Sequence, residues 1–323
     1  MSGGHQMTMT IRLRFALLAL SALCLPVPSL AQLHVAASQH NTDIFGHPLP
    51  AQHRVPVFGQ SIAYYDMGKS TSPDQSVLVL VHGYGSQADV DFGPSLPALA
   101  KHRRVIALDQ IGSGQSDKPL IAYRVQTYVE FLAEFLRTIG VTRFDLLGES
   151  LGGWVAAAYA EQALVPGSTL PPPRRLILED AAGFVVPQTA GVPSPTIHLS
   201  VSTVDEVITG LRAVFFNKDL ITAEVAKRRF ITKLAANDGL VTNAFMTNPA
   251  VLKEAVGDKA SSITLPTLVV WGAEDSTVPV AQVHAYAEAI PGAKLVLVEQ
   301  SGHVPSLEQP GKFVEAVEGF LGR

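Results

Sequence analysis

Six short apolar runs recur along the chain, each closing on glycines or acidic residues: SVLVLVHGYG (76–85), RVIALDQIGSGQSD (104–117), FDLLGES (144–150), RRLILEDAAG (174–183), PTLVVWGAED (266–275) and AKLVLVEQSGH (293–303). None alternates apolar with polar residues, so each reads as a strand buried on both faces. Between them stand segments with apolar residues at helical spacing. TYVEFLAEFLRTIG (127–140) ends at a glycine stop, WVAAAYAEQA follows Ser150, AQVHAYAEAI ends just before Pro291-Gly292, and KFVEAVEGFL closes the chain. This alternation predicts an α/β fold, a mostly parallel, doubly wound sheet with helices on both faces. HRVPVFGQSIAYYDMG adds two short strands around Gly59-Gln60 as a hairpin, which brings the sheet to about eight strands. In such sheets, sites form beyond the carboxyl ends of the strands.

One stretch breaks the alternation. Residues 184–262 hold helical segments such as TVDEVITGLRAVFF and ITAEVAKRRFITKLAAN but no buried strand, and they are read as a helical cap inserted into the core formed by 32–183 and 263–323. Residues 32–55 are polar, without a clear period, and read as a loosely held lead-in. Before them, Arg12 and Arg14 precede the apolar run FALLALSALCL, and PVPSLAQ follows with small residues at Ser29 and Ala31. Those are the parts of a secretory signal over residues 1–31. The run is too short to span a bilayer comfortably, so no stable membrane span is expected once the leader is cleaved. Cleavage after Ala31 removes Cys24, the only cysteine, which suits an exported protein, periplasmic or secreted, held together by its core. The formal charge of −4 gives no basic footprint for nucleic acid. No His/Asp/Glu cluster has metal-ligand spacing along the sequence, and no cofactor motif is present. Nothing in the sequence points to a particular oligomeric state.

The pentad Gly148-Glu149-Ser150-Leu151-Gly152 lies between a buried strand and a helix, the context in which a serine is raised on a tight turn with its hydroxyl exposed. Residues two before and two after it are then crowded, so Gly148 and Gly152 are needed for want of a Cβ. A serine at neutral pH needs a base. Of ten histidines, only His82 and His303 stand at strand ends. His82 is too close to its own strand to reach freely and is given a structural role, which leaves His303 as the base. The imidazole needs a carboxylate to fix its tautomer. Asp275, right after a buried strand, is the first choice, with Asp180 after the strand RRLILED as the alternative. Glu274, next to Asp275, should point elsewhere. The backbone amides of Leu151 and of Tyr84, in the HGYGS loop, are the candidate oxyanion donors, with Gly85 as the alternative to Tyr84. DQIGSGQSD lacks the spacing of a phosphate cradle, so Asp109, Gly112 and Gly114 are structural.

HGYG, LDQIGSGQSDKP, GESLGGW, WGAEDSTVP and SGH, in this order from about residue 54 to the end, resemble the α/β-hydrolase fold family with a helical cap. The resemblance implies a Ser–His–Asp site of Ser150, His303 and Asp275 and an acyl-enzyme route that needs no cofactor. Haloalkane dehalogenases and epoxide hydrolases carry an aspartate where this chain has Ser150, and the latter place tyrosines in the cap, whereas residues 183–265 contain none. Ring-cleavage carbon–carbon hydrolases are closer in architecture but commonly carry a tryptophan after the histidine, where this chain has Val304. The expectation is a serine hydrolase of carboxylic esters with small to medium apolar groups, a small-molecule substrate walled by cap residues such as Phe184, Phe215 and Phe245. The alternatives are carbon–carbon hydrolysis of diketone or dienone acids, and a hydrolase-fold binding or receptor protein with little turnover.

Overall fold

Val57 and Gln60 face each other across a two-residue turn in which Phe58 (φ 50°) and Gly59 (φ 77°) both lie at positive φ. That turn geometry matches the right-handed twist of the strands it joins and makes the expected hairpin of β1 (His53–Val57) and β2 (Gln60–Met67). The computed structural model describes Met1 and residues 41–184, 201–278 and 280–322. The leader expected over 1–31 lies outside these residues, Met1 apart, as do residues 32–40 of the lead-in and residues 185–200 at the start of the insertion.

Six more strands follow: β3 (Val77–Val81), β4 (Val105–Leu108), β5 (Phe144–Glu149), β6 (Leu176–Glu179), β7 (Thr267–Gly272) and β8 (Lys294–Val298). The sheet has the order β1-β2-β4-β3-β5-β6-β7-β8. β1–β2 and β2–β4 pair antiparallel and all other neighbours parallel. Every residue of β3 to β7 is buried. The pleat sends successive residues to opposite faces, so a continuous apolar run is what two covered faces require. Val79, Leu146 and Val269 pack in one apolar cluster with α1 (Val125–Thr138) and α2 (Leu151–Ala163). Leu78, Leu147 and Leu268 pack in another with Phe313 and Val317.

β8 departs from the expectation of a doubly buried strand: it is the sheet edge, and Leu297 is 47% exposed. With a neighbour on one side only, an apolar sequence does not guarantee burial. The lead-in is likewise better ordered than expected from residue 41 onward. Asp43 Oδ1 accepts from the amides of Phe45 and His47, both at 2.9 Å, closing a local turn that seats Ile44 and Leu49 in the interior.

Between β6 and β7 lie α3 (Val204–Val214), α4 (Ala223–Ala236) and α5 (Gly239–Met246), and among the described residues this stretch holds no strand. Thr203 and Thr222 cap α3 and α4, their hydroxyls accepting from the amides of Glu206 and Val225 at 3.2 Å. Phe215 and Val225 dock the insertion on the core by packing with Ile44, Val90, Val304 and Leu307. α6 (Val280–Ala289) and α7 (Pro310–Leu321) complete the core. No helix of the described residues is long and apolar enough to cross a membrane.

Candidate active site

β5 ends at Glu149, and the next residue turns sharply into α2. Ser150 makes that turn at φ 49°, ψ −114°, a backbone conformation that non-glycine residues rarely adopt and that costs about 1–3 kcal/mol. The surroundings hold it there: the Ser150 amide donates to the Glu179 carbonyl at 2.9 Å, and its own carbonyl accepts from Ala182 at 3.0 Å and Trp154 at 3.1 Å. The flanking glycines are required by backbone contacts. A Cβ on Gly148 would stand 2.1 Å from the Gly152 carbonyl oxygen, as the crowding argument expects. On Gly152, however, the clash is with β3, 2.0 Å from the Val81 carbonyl oxygen. Gly152→Ala is therefore expected to destabilise the fold by about 3 kcal/mol or more, because backbone on both sides has no room to yield. Gly319→Ala is the control: in α7, with nothing within 4 Å of the new methyl, it should stabilise by about 0.5–1 kcal/mol. Chemical denaturation of the two variants beside the parent protein checks both values.

The carboxyl ends of β7 and β8 bring the histidine and its carboxylate together. Nδ1 of His303 and Oδ2 of Asp275 are 2.9 Å apart, and both side chains are nearly excluded from solvent. Asp275 is heavily donated to. Oδ2 also accepts from the Trp271 indole at 3.0 Å, and Oδ1 accepts from the amides of Thr277 at 2.7 Å and Val278 at 3.2 Å. Burial opposes its charge, but His303, the Thr277 amide and the Asp180 carboxyl outweigh that and hold the carboxyl below its ordinary value. Glu274 points elsewhere, accepting from the Ser301 amide at 3.0 Å.

Asp180 is not remote from this pair. At the end of β6, fully buried and at φ 41°, it accepts from the Gly272 amide at 3.0 Å and shares a hydrogen bond with Asp275. Burial, and then the charge of Asp275, push its carboxyl well above the ordinary range. That direction makes Asp180 the protonated member of the pair, whose O–H donates a hydrogen bond to Asp275. One oxygen or nitrogen from each of Asp180, Asp275 and His303 lie within 4.8 Å of one another. Sequence spacing shows no such cluster because three different strands deliver it. Its atoms face one another in hydrogen bonds, which is what a proton-sharing acid–acid–imidazole chain requires.

The HGYGS loop closes over the turn. An ideal Cβ on Gly83 would stand 3.2 Å from the Cβ of Ser150. Among the described residues, the amides of Tyr84 and Leu151 have no protein acceptor. The insertion grips this loop: the Tyr84 hydroxyl donates to the Thr242 carbonyl at 2.5 Å, while Arg229 and Lys233 of α4 both donate to the Gly85 carbonyl, at 2.9 and 3.0 Å. Phe245 packs against Tyr84 and Tyr128, with ring centroids 5.5 and 6.0 Å away. Phe184 stands edge-on to Tyr286 at 5.1 Å, and Phe215 sits in the docking cluster beside Val304. His82 is structural: buried, it accepts from the Gln110 amide at 3.0 Å. Asp109 is too, taking the amides of Ala88 and Gln115 at 2.9 and 2.8 Å.

The profile of the Alpha/beta hydrolase family matches residues 78–316, most of the chain and the carboxyl end of every strand except those of the hairpin. The chain belongs to the alpha/beta hydrolase family. Among its relatives, this hydrolase is 30% identical to the 2-hydroxymuconate semialdehyde hydrolase of Pseudomonas sp. strain CF600 over 253 residues, 76% of this chain and 86% of the other. Its fold superimposes on the meta-cleavage product hydrolase of Pseudomonas fluorescens IP01 with TM-score 0.72 at 23% identity, covering 83% and 96% of the two chains. It also superimposes on a membrane phospholipase A with TM-score 0.68 at 26% identity, covering 90% and 89%.

Three buried acids beneath the candidate site escape the sequence analysis. Glu149 and Glu179 are partners in the β5–β6 register, and Asp91 lies on the one-turn helix after the HGYGS loop. The Ser306 amide donates to Glu179 at 2.7 Å, and burial pushes that carboxyl up to about 8. A signal was present in the sequence, since an acid closing an otherwise apolar strand run has no solvent to face.

Proposed function

We propose that this hydrolase cleaves carboxylic esters through an acyl-enzyme intermediate. The observation that carries the reading is the His303–Asp275 pair at 2.9 Å, whose Nε2 lies 3.5 Å from Glu149, the residue before a serine on a strained strand-to-helix turn. Ser150 Oγ attacks the ester carbonyl carbon while Nε2 of His303 takes its proton, and Asp275 holds Nδ1–H and offsets the imidazolium charge. The amides of Tyr84 and Leu151 receive the oxyanion. Collapse of the tetrahedral intermediate breaks the bond to the alcohol oxygen, which leaves with the proton from His303. Water, deprotonated by the same imidazole, then releases the acid and restores Ser150. No cofactor enters this scheme.

The residues offered to wall the acyl group are Phe245 beside Tyr84, Phe184 two residues beyond Ala182, whose amide binds the Ser150 carbonyl, and Phe215 packed with Val304. These residues suit an apolar group of small to medium size. The leader over 1–31 exports the protein, and no nucleic acid partner is involved. Rates on a ladder of p-nitrophenyl esters from acetyl to long acyl chains are expected to peak at short to medium length. A purified protein that turns over none of them overturns the ester reading.

Carbon–carbon hydrolysis is the second reading, carried by the likeness to 2-hydroxymuconate semialdehyde hydrolase. Val304 speaks for esters, since it fills the position after His303 with a small side chain packed against Phe215. Turnover of a dienone acid with no turnover of esters decides for the second reading.

A further inference from the structure

Of the acids that the ester mechanism does not use, one lies against Nε2 of the histidine. Glu149, the last residue of β5, is 2% exposed. Its Oε1 lies 3.5 Å from Nε2 of His303, the nitrogen opposite the one that Asp275 takes. Its Oε2 faces the loop: a Cβ on Gly83 would stand 2.0 Å from it, so a side chain at 83 would collide with Glu149. The carboxyl is also hydrogen-bonded to Asp91. Asp91 in turn accepts from the Gly83 amide at 2.9 Å and the Ser86 hydroxyl at 2.5 Å, the two ends of the loop that presents Tyr84 and Gly85.

Two carboxyl groups in contact hold one proton between them. Asp91 already accepts two donors, so the carboxyl left to carry the shared proton is Glu149. Burial, then Asp91 and Glu179, push Glu149 well above the ordinary carboxylate range, in agreement with that assignment. The titratable groups around it are Asp91, Glu179 across the β5–β6 register, Asp275 after β7 and His303 after β8. Only His303 among them can carry positive charge.

We propose that Glu149 is a positioning residue, which anchors Asp91 and the Gly83–Ser86 loop through one oxygen and, once His303 has taken the proton of Ser150, offers its Nε2–H an acceptor through the other. The proposal rests on the reading of Ser150 as nucleophile and His303 as base. It also accounts for an acid, rather than a carboxylate, at this place. A full negative charge beside Nε2 would hold the imidazolium and delay return of its proton to the leaving alcohol, whereas a neutral acceptor lets the proton move on.

The test is the rate at which a fluorophosphonate labels Ser150 in the full-length protein, since labelling needs the activated serine but no particular acyl group. Glu149→Met, which keeps the length, and Glu149→Ala are expected to lower the maximal labelling rate by about 10- to 100-fold, the worth of a hydrogen bond to a charged group. The half-saturating concentration should stay within about twofold, because binding is not the step affected. Glu149→Gln should recover most of the rate, its amide donating to Asp91 and its carbonyl facing His303. Either folded variant, Met or Ala, carries the result. Labelling at the parent maximal rate in that variant, or a Gln variant no faster than it, overturns the proposal. A parent protein that labels at Ser150 yet cleaves no ester overturns the ester reading alone, while a parent that does not label there overturns both.

Discussion

Ser150→Ala is expected to lower p-nitrophenyl ester turnover by about 10^4- to 10^6-fold, and to leave stability close to that of the parent protein. The loss is large because attack, proton transfer and the covalent intermediate all run through one oxygen, so the remaining site offers only binding and oxyanion donors to an attacking water. Stability barely changes because alanine meets the same penalty at φ 49° as serine does. Ser150→Gly separates the two effects. It also removes the nucleophile, but glycine adopts this conformation without strain and should raise stability by about 1 kcal/mol. An inactive glycine variant that melts above the parent would show that the turn is held under strain for the sake of the hydroxyl. Retained ester turnover in Ser150→Ala, measured on enzyme from which contaminating esterase has been removed, would end the nucleophile reading.

The strands were legible because β3 to β7 are buried on both faces, which forces continuous Val, Leu and Ile runs that no other element needs at that length. Ser150 was legible for a different reason, since a strained turn between strand and helix demands glycine at fixed offsets whatever the rest of the chain does. Asp275 and His303 could be placed after β7 and β8, but their contact is a property of strand order. β7 and β8 are neighbours in the sheet, and no local pattern in the sequence says so. The same limit hid the other acids. Asp180 reads as a rival to Asp275 along the sequence, whereas the parallel β6–β7 pairing sets the two side by side, one neutral and one charged. Glu149 and Glu179 each look like an ordinary polar strand end until their register makes them neighbours without water. The exposure of Leu297 escaped for the converse reason, because composition cannot distinguish an edge strand from a central one when both are apolar.

Asp275→Asn is expected to lower kcat by about 10^3- to 10^4-fold, whereas Asp180→Asn costs less than about 10-fold. The difference follows from what each oxygen accepts. In Asp275→Asn the new side chain must place its NH2 group at one of two positions. At the Oδ2 position it would meet the Trp271 indole N–H and Nδ1 of His303, and the imidazole could then only turn its lone pair towards it. That tautomer carries its hydrogen on Nε2 and is unable to take the proton of Ser150. At the Oδ1 position the NH2 would meet the amides of Thr277 and Val278, so that orientation leaves donors facing donors in a buried site. In either case the negative charge that offsets the imidazolium is gone. Asp180→Asn, by contrast, keeps both tasks of the protonated acid: the side-chain carbonyl accepts from Gly272 and the side-chain amide donates to Asp275. The sign of the stability change differs as well. Asp180 has its carboxyl pKa raised in the folded protein, so its contribution is fully present below the unfolded value and is lost as pH rises through the folded one. Asp180→Asn removes that loss and should gain stability relative to the parent as pH rises above about 4, the unfolded aspartate value. Asp275 is depressed instead, so its contribution holds above the same unfolded value and is lost as pH falls through the folded one. Kinetics at neutral pH together with urea midpoints from pH 4 to 9 read both residues. Equal kinetic losses in the two variants would mean that the acids act as one interchangeable pair, and the assignment of charge to Asp275 would fail.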